Sequence, residues 1–521
     1  MNLRMVFRQL GLLLLVLGGC LLLVTGVELA QWEDGRLAEP KATLALALSM
    51  ALSGGLGGTL FLLCRERKHR RPELPELPGR REALLLVSLS WMLGAAVAAV
   101  PYFLWARLVA AGGGTDPHPF ASAVRCYFEA MSGLTTTGAS VLSDIASLPR
   151  GILLWRSLTQ WLGGLGIVVL FVAVLPTLGV GGKKLFQAEA PGPTQPGVRP
   201  RIRDTARALW IIYLLLTGAS ILLLWLLGMS LFDAVCHTFT TLATGGFSNY
   251  GASVSEFDSA AIEFVIVGFM LLAGVNFGLY YKLLHGRWKG VSKDPELRLY
   301  LGVVLTATAL IAVSIYGTSW TTLDGQTREG TLFQTIRYSL FQAASIQTTT
   351  GFATADYDKW GFLPQAVLVT LLFIGASAGS TGGGIKVIRI LVVARVLIAE
   401  IEKAFRPSVV RPIKVGKTAV SSDLRQALLV YVLTILSIFA IGSVVVMMFE
   451  PPGTINFTTA ATAAAATLNN VGPGLAMVGP MDNFAVFSDP SLVVLSLLMV
   501  LGRLELYALL ALVLPRFWTA E

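Results

Sequence analysis

The pentapeptide TTTGA at Thr135–Ala139 returns three more times in altered form, and this recurrence constrains the chain more than any other feature. ATGGF stands at Ala243–Phe247, TTTGF at Thr348–Phe352 and a divergent NNVGP at Asn469–Pro473. Each copy follows a moderately polar stretch too short to cross a bilayer, and each lies between two long apolar runs. Four diverged copies of one unit, each delivering a glycine at the same place, predict a pore built by pseudo-fourfold repetition within one chain. Glycine suits such a place because its backbone reaches conformations closed to other residues and lets carbonyls approach a ligand closely. A ring of carbonyl oxygens can replace the hydration shell of an alkali cation. The motif therefore points to potassium transport.

Composition agrees with a membrane setting. Of 521 residues, 54% are hydrophobic and 14% charged, with a mean hydropathy of +0.69. A soluble chain of this size exposes far more charge, whereas recurrent apolar runs of about 20 residues are what bilayer-spanning helices require. The formal net charge of +9 would by itself suit a nucleic-acid or anionic-surface binder, but its distribution along the chain argues against nucleic acid. Cys20, Cys64, Cys126 and Cys236 fall singly and indicate neither a zinc site nor a disulfide scaffold. The first apolar run, Leu10–Val27, follows Arg4 and Arg8 without a convincing cleavage signal and holds Cys20. It reads as a retained first span.

The expected spans are Gly11–Leu29, Thr43–Leu63, Ala83–Leu108, Leu153–Thr177, Ala208–Leu227, Ala260–Leu283, Leu299–Ile315, Gln365–Val393, Ala427–Met448 and Ser491–Leu514. Short helices ending at the glycines, such as Phe120–Leu134 and Phe333–Gln347, fall between the third and fourth, fifth and sixth, seventh and eighth, and ninth and tenth. The fold class is an all-α polytopic membrane protein: two leading helices, then four helix–pore loop–helix repeats with pseudo-fourfold symmetry. The leading helices occupy residues 1–70, and the repeats 83–180, 200–290, 297–400 (with an intramembrane loop) and 424–521.

Charge bias sets the orientation. The loop Arg65–Arg81 carries seven Lys/Arg, Gly182–Arg207 six, Lys282–Arg298 five and Lys386–Arg425 nine, whereas Gly228–Phe257 and Phe449–Pro490 carry none. The positive-inside rule puts both termini in the cytoplasm and all four glycine segments near the outer face. Asp144, Asp356, Asp358, Asp482 and Asp489 then lie outside, either concentrating cations or simply solvating loops. Backbone that leaves helical geometry at membrane depth survives only if it lines a cavity or is buried in protein. Half-helices whose carboxyl ends approach the pore direct partial negative charge at a cation. Threonine before the glycine, in three of the four segments, adds a hydroxyl acceptor and a β-branch that stiffens extended backbone.

With these motifs in place the chain resembles the TrkH/TrkG/KtrB/HKT superfamily of potassium transporters, most closely the bacterial Trk-type membrane subunit. The resemblance rests on YFEAMSGLTTTGAS (Tyr127–Ser140), WRSLTQWLGGLGI (Trp155–Ile167), HTFTTLATGGFSNY (His237–Tyr250), SIQTTTGFATADY (Ser345–Tyr357), GASAGSTGGGIKVIR (Gly375–Arg389), NNVGPGL (Asn469–Leu475) and GRLELY (Gly502–Tyr507). It implies that Gly138, Gly245, Gly351 and Gly472 are filter glycines. Potassium would then bind backbone oxygens near Thr137–Gly138, Thr244–Gly245, Thr350–Gly351 and Val471–Gly472, with the Val471 side chain packing rather than coordinating. Plant relatives that favour sodium often have serine at the first position, so Gly138 implies potassium selectivity.

Gly375–Gly384 interrupts an apolar segment with ten small residues, five of them glycine. Such a run is a poor helix, though a close-packed helix crossing is the plainer account of it. The resemblance implies an intramembrane gate involving Gly375, Gly379, Gly382, Gly383 and Gly384. Lys386 and Arg389 follow it, as lipid-facing anchors or as contacts for a regulatory partner. Arg503 lies in the last apolar segment, where arginine is costly unless it faces protein or water. Glu505 does not share its helical face. The resemblance implies that Arg503 points into the conduction path beneath the filter; snorkelling is the alternative.

No enzyme chemistry is visible. His69, His118, His237 and His285 are isolated, no P-loop occurs, and GGLG at Gly163–Gly166 lies inside an apolar span, where it packs helices. No cofactor is expected on this chain beyond the transported potassium. The resemblance implies a homodimer in a bacterial inner membrane with a cytosolic nucleotide-binding Trk subunit. That subunit would dock on Gly182–Arg207 and Lys386–Arg425, unless anionic lipid headgroups account for their charge. A regulated channel or transporter is the favoured function, and a proton- or sodium-coupled symporter of the same architecture is the alternative.

Overall fold

The computed structural model describes residues 1–30, 32–33, 36–37, 39–65, 79–112, 118–173, 202–284, 286, 288–409, 412–416 and 418–519. Most of the basic segments Arg65–Arg81 and Gly182–Arg207 therefore lie outside the described residues. Among the described residues, six single helices are long and apolar enough to cross a bilayer: Leu3–Leu29, Pro40–Leu63, Arg80–Ala111, Arg207–Leu226, Pro295–Ile315 and Ser422–Phe449. Leu23, Leu215, Leu305, Val313, Leu433 and Met448 on their outer faces are exposed, which suits lipid and not water. The protein is a multi-pass, helical membrane protein. Strand among the described residues is confined to three antiparallel two-stranded ribbons. One pairs Ser319–Thr321 with Thr327–Glu329, Trp320 opposite Arg328.

The remaining expected spans differ from straight helices in informative ways. Helix Arg150–Ala173 covers most of Leu153–Thr177, whose last four residues lie outside the described set. The span expected over Ala260–Leu283 is two helices, Ala260–Ala273 and Phe277–Leu284, bent by 91°. That over Ser491–Leu514 is Asp489–Arg503 and Tyr507–Val513, bent by 120°. That over Gln365–Val393 runs as helix Phe362–Phe373, a non-helical stretch, and helix Val387–Phe405. These three interruptions meet inside the protein.

Four short helices stand between the long ones: Ala123–Leu134, Leu231–Leu242, Leu332–Gln347 and Phe457–Leu468. Each begins with a polar cap whose side-chain oxygen accepts a backbone N–H three residues on, from Ser122, Ser230, Thr331 and Asn456 respectively. Their ends are alike too. The second residue past each helix, Thr136, Thr244, Thr349 or Asn470, is left-handed at φ +53°, +53°, +59° and +55°. The next residue then donates its N–H back to a carbonyl five residues earlier: Thr137 to Ser132, Gly245 to Thr240, Thr350 to Ser345 and Val471 to Ala466, at 2.8–2.9 Å. This is a Schellman closure with threonine or asparagine where glycine is usual. Left-handed backbone costs such residues roughly 1–2 kcal/mol each, and that strain recurs at the same place in all four.

The two leading helices pack against one another through glycine. A side chain at Gly11 would meet Phe61 N at 2.7 Å and Gly57 O at 2.8 Å, the small-residue contact that lets membrane helices approach closely.

Candidate functional site

The segments that leave the four short helices touch in cyclic order. A side chain added at Gly138 would collide with Gly245 O, one at Gly246 with Thr350 O, one at Gly351 with Val471 O, and one at Gly472 would stand 2.7 Å from Thr137 O. First meets second, second third, third fourth, and fourth first. The ring is closed. All four of these glycines have positive φ, +83°, +75°, +80° and +100°, and all four line one open cavity of about 130 Å³. A Cβ at any of them is excluded by conformation and by space together.

This ring corrects one assignment. The glycine equivalent to Gly138, Gly351 and Gly472 is Gly246, not Gly245. Counted from the end of the short helix, Thr244 corresponds to Thr136, and Gly245 to Thr137. Two adjacent glycines allow two alignments by letter; the helix end allows one. Val471 is buried in an apolar cluster with Ala343, Ile346 and Leu475.

Side chains behind the ring hold it. Thr135 and Thr137 hydroxyls share a 2.7 Å hydrogen bond, as do Thr348 and Thr350. Asn470 Nδ2 donates to Thr137 Oγ1 and to Met499 O. Gln160 Nε2 donates to Gly245 O at 2.7 Å, and its Oε1 accepts from Phe247 N at 3.1 Å. Glu129, fully buried, binds Arg156 at 2.8 Å and accepts from Ser140 Oγ and Val141 N just past Gly138. Arg156 also lies over the Phe247 ring and donates to Ser248 O. One buried ion pair thus joins the first and second segments. Breaking such a pair by removing one member costs about 3–5 kcal/mol.

Beneath the ring lies the glycine-rich stretch. It folds back so that Ile374 and Ile385 pair side by side, with Gly379 and Gly384 left-handed. Its polar backbone meets the bend at Gly274–Asn276: Ser377 N donates to Gly274 O, Thr381 N to Ala273 O, and Phe277 N to Gly379 O. Two broken helices thus satisfy one another's orphaned groups, which is what irregular backbone at this depth requires. Above, Gly383 N donates to Thr349 Oγ1 at 2.7 Å, and a Cβ at Gly382 would stand 3.1 Å from Thr348 O. The stretch abuts the underside of the third segment.

Arg503 is buried and reaches the same place. Its Nη1 donates to Thr381 O at 2.9 Å and its Nη2 to Gly163 O at 3.1 Å. Glu505 instead pairs with Arg389, which also stacks over Tyr431. Lys386 donates to Gly382 O. Lys386 and Arg389 are both 4% exposed, so neither is a lipid-facing anchor or a surface contact. Lys386 is buried against the glycine-rich stretch it bonds, and Arg389 against Glu505 and Tyr431.

Of the outer aspartates, only Asp482 lines the cavity. Asp358 accepts from Ala476 N at 3.0 Å, Asp356 pairs with Lys359, Asp489 with Arg125, and Asp144 caps Ser147. Three of these four therefore fasten loops, and Asp489 ties the starts of two helices together. The carboxyl of Asp482 is raised above the usual range by partial burial, then by the negative charge of Asp358 and Asp356.

A family model described as "TrkH: Cation transport protein" matches residues 114–518. The chain belongs to the TrkH family. Over 99% of its length it is 37% identical to the Trk system potassium uptake protein TrkH of Salmonella typhimurium, covering 100% of that protein. It is 34% identical to the Trk system potassium uptake protein TrkG of Escherichia coli, over 84% of this chain and 85% of that one. Among solved structures it resembles that of the potassium transporter TrkH from Vibrio parahaemolyticus, with a TM-score of 0.83, 32% identity and full coverage of both chains. The family is one of transporters, not enzymes. Several features of the site escaped the sequence reading: Gly246, Gln160, the Glu129–Arg156 pair and Glu505 as partner of Arg389. Arg156 and Gln160 did carry a signal, since polar side chains in an apolar span demand an explanation.

Proposed function

We propose that the chain takes up potassium across the bacterial inner membrane, both termini cytoplasmic, through a filter formed by the ring. The cyclic contact of four glycine segments around one cavity carries this reading. Four segments in register offer backbone oxygens of Thr137, Gly245, Thr350 and Val471 at one level. Such oxygens can replace the hydration shell of a potassium ion, and the strained helix ends deliver them without side-chain freedom. The repeat layout 83–180, 200–290, 297–400 and 424–521 follows from the same reading, one segment to each repeat.

Gly375–Gly384 and Arg503 form the gate below. The stretch abuts the ring's underside, and the buried guanidinium holds Thr381. A fixed positive charge there opposes an ion leaving inward. Opening then requires the stretch, the guanidinium, or both to move. Relatives named as Trk-system components support a multi-component assembly, for which we propose a homodimer with a cytosolic nucleotide-binding subunit.

Purified protein in liposomes tests the proposal. Potassium flux should exceed sodium flux and should proceed without an imposed proton gradient. Flux that appears only with a proton or sodium gradient would favour a coupled symporter. Absence of potassium flux from folded protein would overturn the reading.

A further inference from the structure

We propose that Gln160 is a selectivity-setting positioning residue, its amide replacing in the second filter segment the side chain that the other three segments carry. The inference rests on the ring being the potassium filter.

The position before each ring glycine bears Thr137, Thr350 and Val471 in three segments and Gly245 in the second. Those three are β-branched, and the two threonines hydrogen-bond to Thr135 and Thr348. Gly245 is not there for its backbone, because it is absent from the residues with positive φ. Space decides it. A Cβ at Gly245 would fall on the Gln160 amide, with its Nε2 2.9 Å away and its other atoms nearer. Gln160 arrives from helix Arg150–Ala173 and is fully buried.

Its amide orientation is fixed by its partners, since Gly245 O needs a donor and Phe247 N an acceptor. The two bonds straddle Gly246, the ring glycine of this segment. Gly245 O also belongs to the set of oxygens, with Thr137, Thr350 and Val471, that crowd the neighbouring glycines. One carbonyl of the four thus accepts an N–H from behind. That bond fixes its direction and occupies part of its acceptor capacity. Selectivity among alkali cations depends on the geometry, number and field strength of such oxygens, so one side chain outside the ring biases it.

The test measures the potassium-to-sodium permeability ratio from reversal potentials in liposomes, on gel-filtered protein of equal amount. Gln160→Met keeps the length and removes both bonds. Its ratio should fall roughly two- to tenfold, the span of one ordinary hydrogen bond expressed as an equilibrium ratio. The double variant Gln160→Ala with Gly245→Thr exchanges the amide for the side chain of the other segments and should recover most of the ratio. Gly245→Thr alone collides with Gln160 and should not.

A folded Gln160→Met protein with the wild-type ratio would overturn the proposal. So would a folded double variant whose ratio stays as low as that of Gln160→Met. If Gln160→Met does not fold, recovery of a selective, folded double variant sustains the proposal, and a folded but unselective one defeats it. Failure of both to fold would make Gln160 a structural strut and nothing more. Wild-type protein that does not prefer potassium would instead remove the filter reading itself.

Discussion

On the side proposed to face outward, four segments with three different sequences reach one backbone geometry: TTG, TGG, TTG and NVG each place a left-handed residue and then a left-handed glycine in the same relation to a capped short helix. On the other side, the described elements that meet are unlike one another in sequence. One glycine-rich stretch, one bend at Gly274–Asn276 and one arginine meet, each supplied by a different part of the chain. Repetition suits a ring, where equivalent carbonyls surround a common centre. Control does not need symmetry; a single element suffices to block a single path. The difference teaches that mutations in the ring should change what passes, and mutations below it how much passes.

Gly246→Ala is expected to have the largest effect. Its φ of +75° disfavours a side chain, and the new methyl would collide with Thr350 O. The conformational part alone costs about 1–2 kcal/mol. We expect loss of flux or of folded protein, measured by uptake and by gel filtration. Gly138→Ser meets the same obstacle at Gly245 O and, where it folds, should raise sodium permeation relative to potassium. Unchanged permeability ratios in both would break the comparison at its outer end.

Removing several residues from Gly375–Gly384 comes next. Basal potassium flux should rise, on the order of tenfold, with little change in the ion ratio, and dependence on a cytosolic partner should weaken. The deletion strips partners from Ala273 O and Gly274 O, so folding must be checked by gel filtration first. Wild-type flux and gating from a folded deletion would refute the gate.

Arg503→Ala should follow with a smaller rise. Removing a buried positive charge near the path lowers the barrier to a cation by about 1 kcal/mol at an effective dielectric of about 20, roughly fivefold in rate. Arg503→Lys keeps the charge but not both bonds to Thr381 and Gly163, and should retain more of the barrier. An alanine variant with wild-type conductance would make Arg503 structural.

The sequence disclosed the outer side better than the inner, and the physical reason is locality. A capped short helix followed by threonine and glycine is written in about 20 consecutive residues, so the ring segments were legible. Their register was not legible at ATGGF, because Gly245 yields to the Gln160 amide from a distant helix. Below the ring, the run Gly375–Gly384 was readable as a break from its own composition. The bends at Gly274–Asn276 and Leu504–Leu506 were not. Leu504, Glu505 and Leu506 are good helix formers, yet Glu505 and Leu506 are left-handed here, at φ +55° and +65°. What goes with that turn is tertiary: Glu505 is drawn to Arg389 and Arg503 to Thr381. The burial of Lys386 and Arg389 was hidden for the same reason, since their partners lie elsewhere in the chain.

The smallest effect should come from Asp482, the one outer aspartate that lines the cavity above the ring. Its carboxyl is shifted upward by partial burial and by the charges of Asp358 and Asp356. It therefore takes up a proton at a higher pH than an ordinary aspartate, as the outside becomes acidic. Ionised, it attracts cations to the cavity mouth; protonated, it does not. Potassium uptake at low substrate concentration should thus decline as external pH falls toward this group's raised range. Asp482→Asn should lower uptake at neutral pH and flatten that decline. The change should stay below about twofold, because the side chain is exposed and salt screens it within about 10 Å at 0.1 M. The ion ratio should not move, since Asp482 touches no ring oxygen. Uptake measured against external pH at low and high ionic strength decides the matter. A pH profile in Asp482→Asn that overlays wild type at low salt would reduce the aspartate to loop solvation, and would confine outer-side control to the ring.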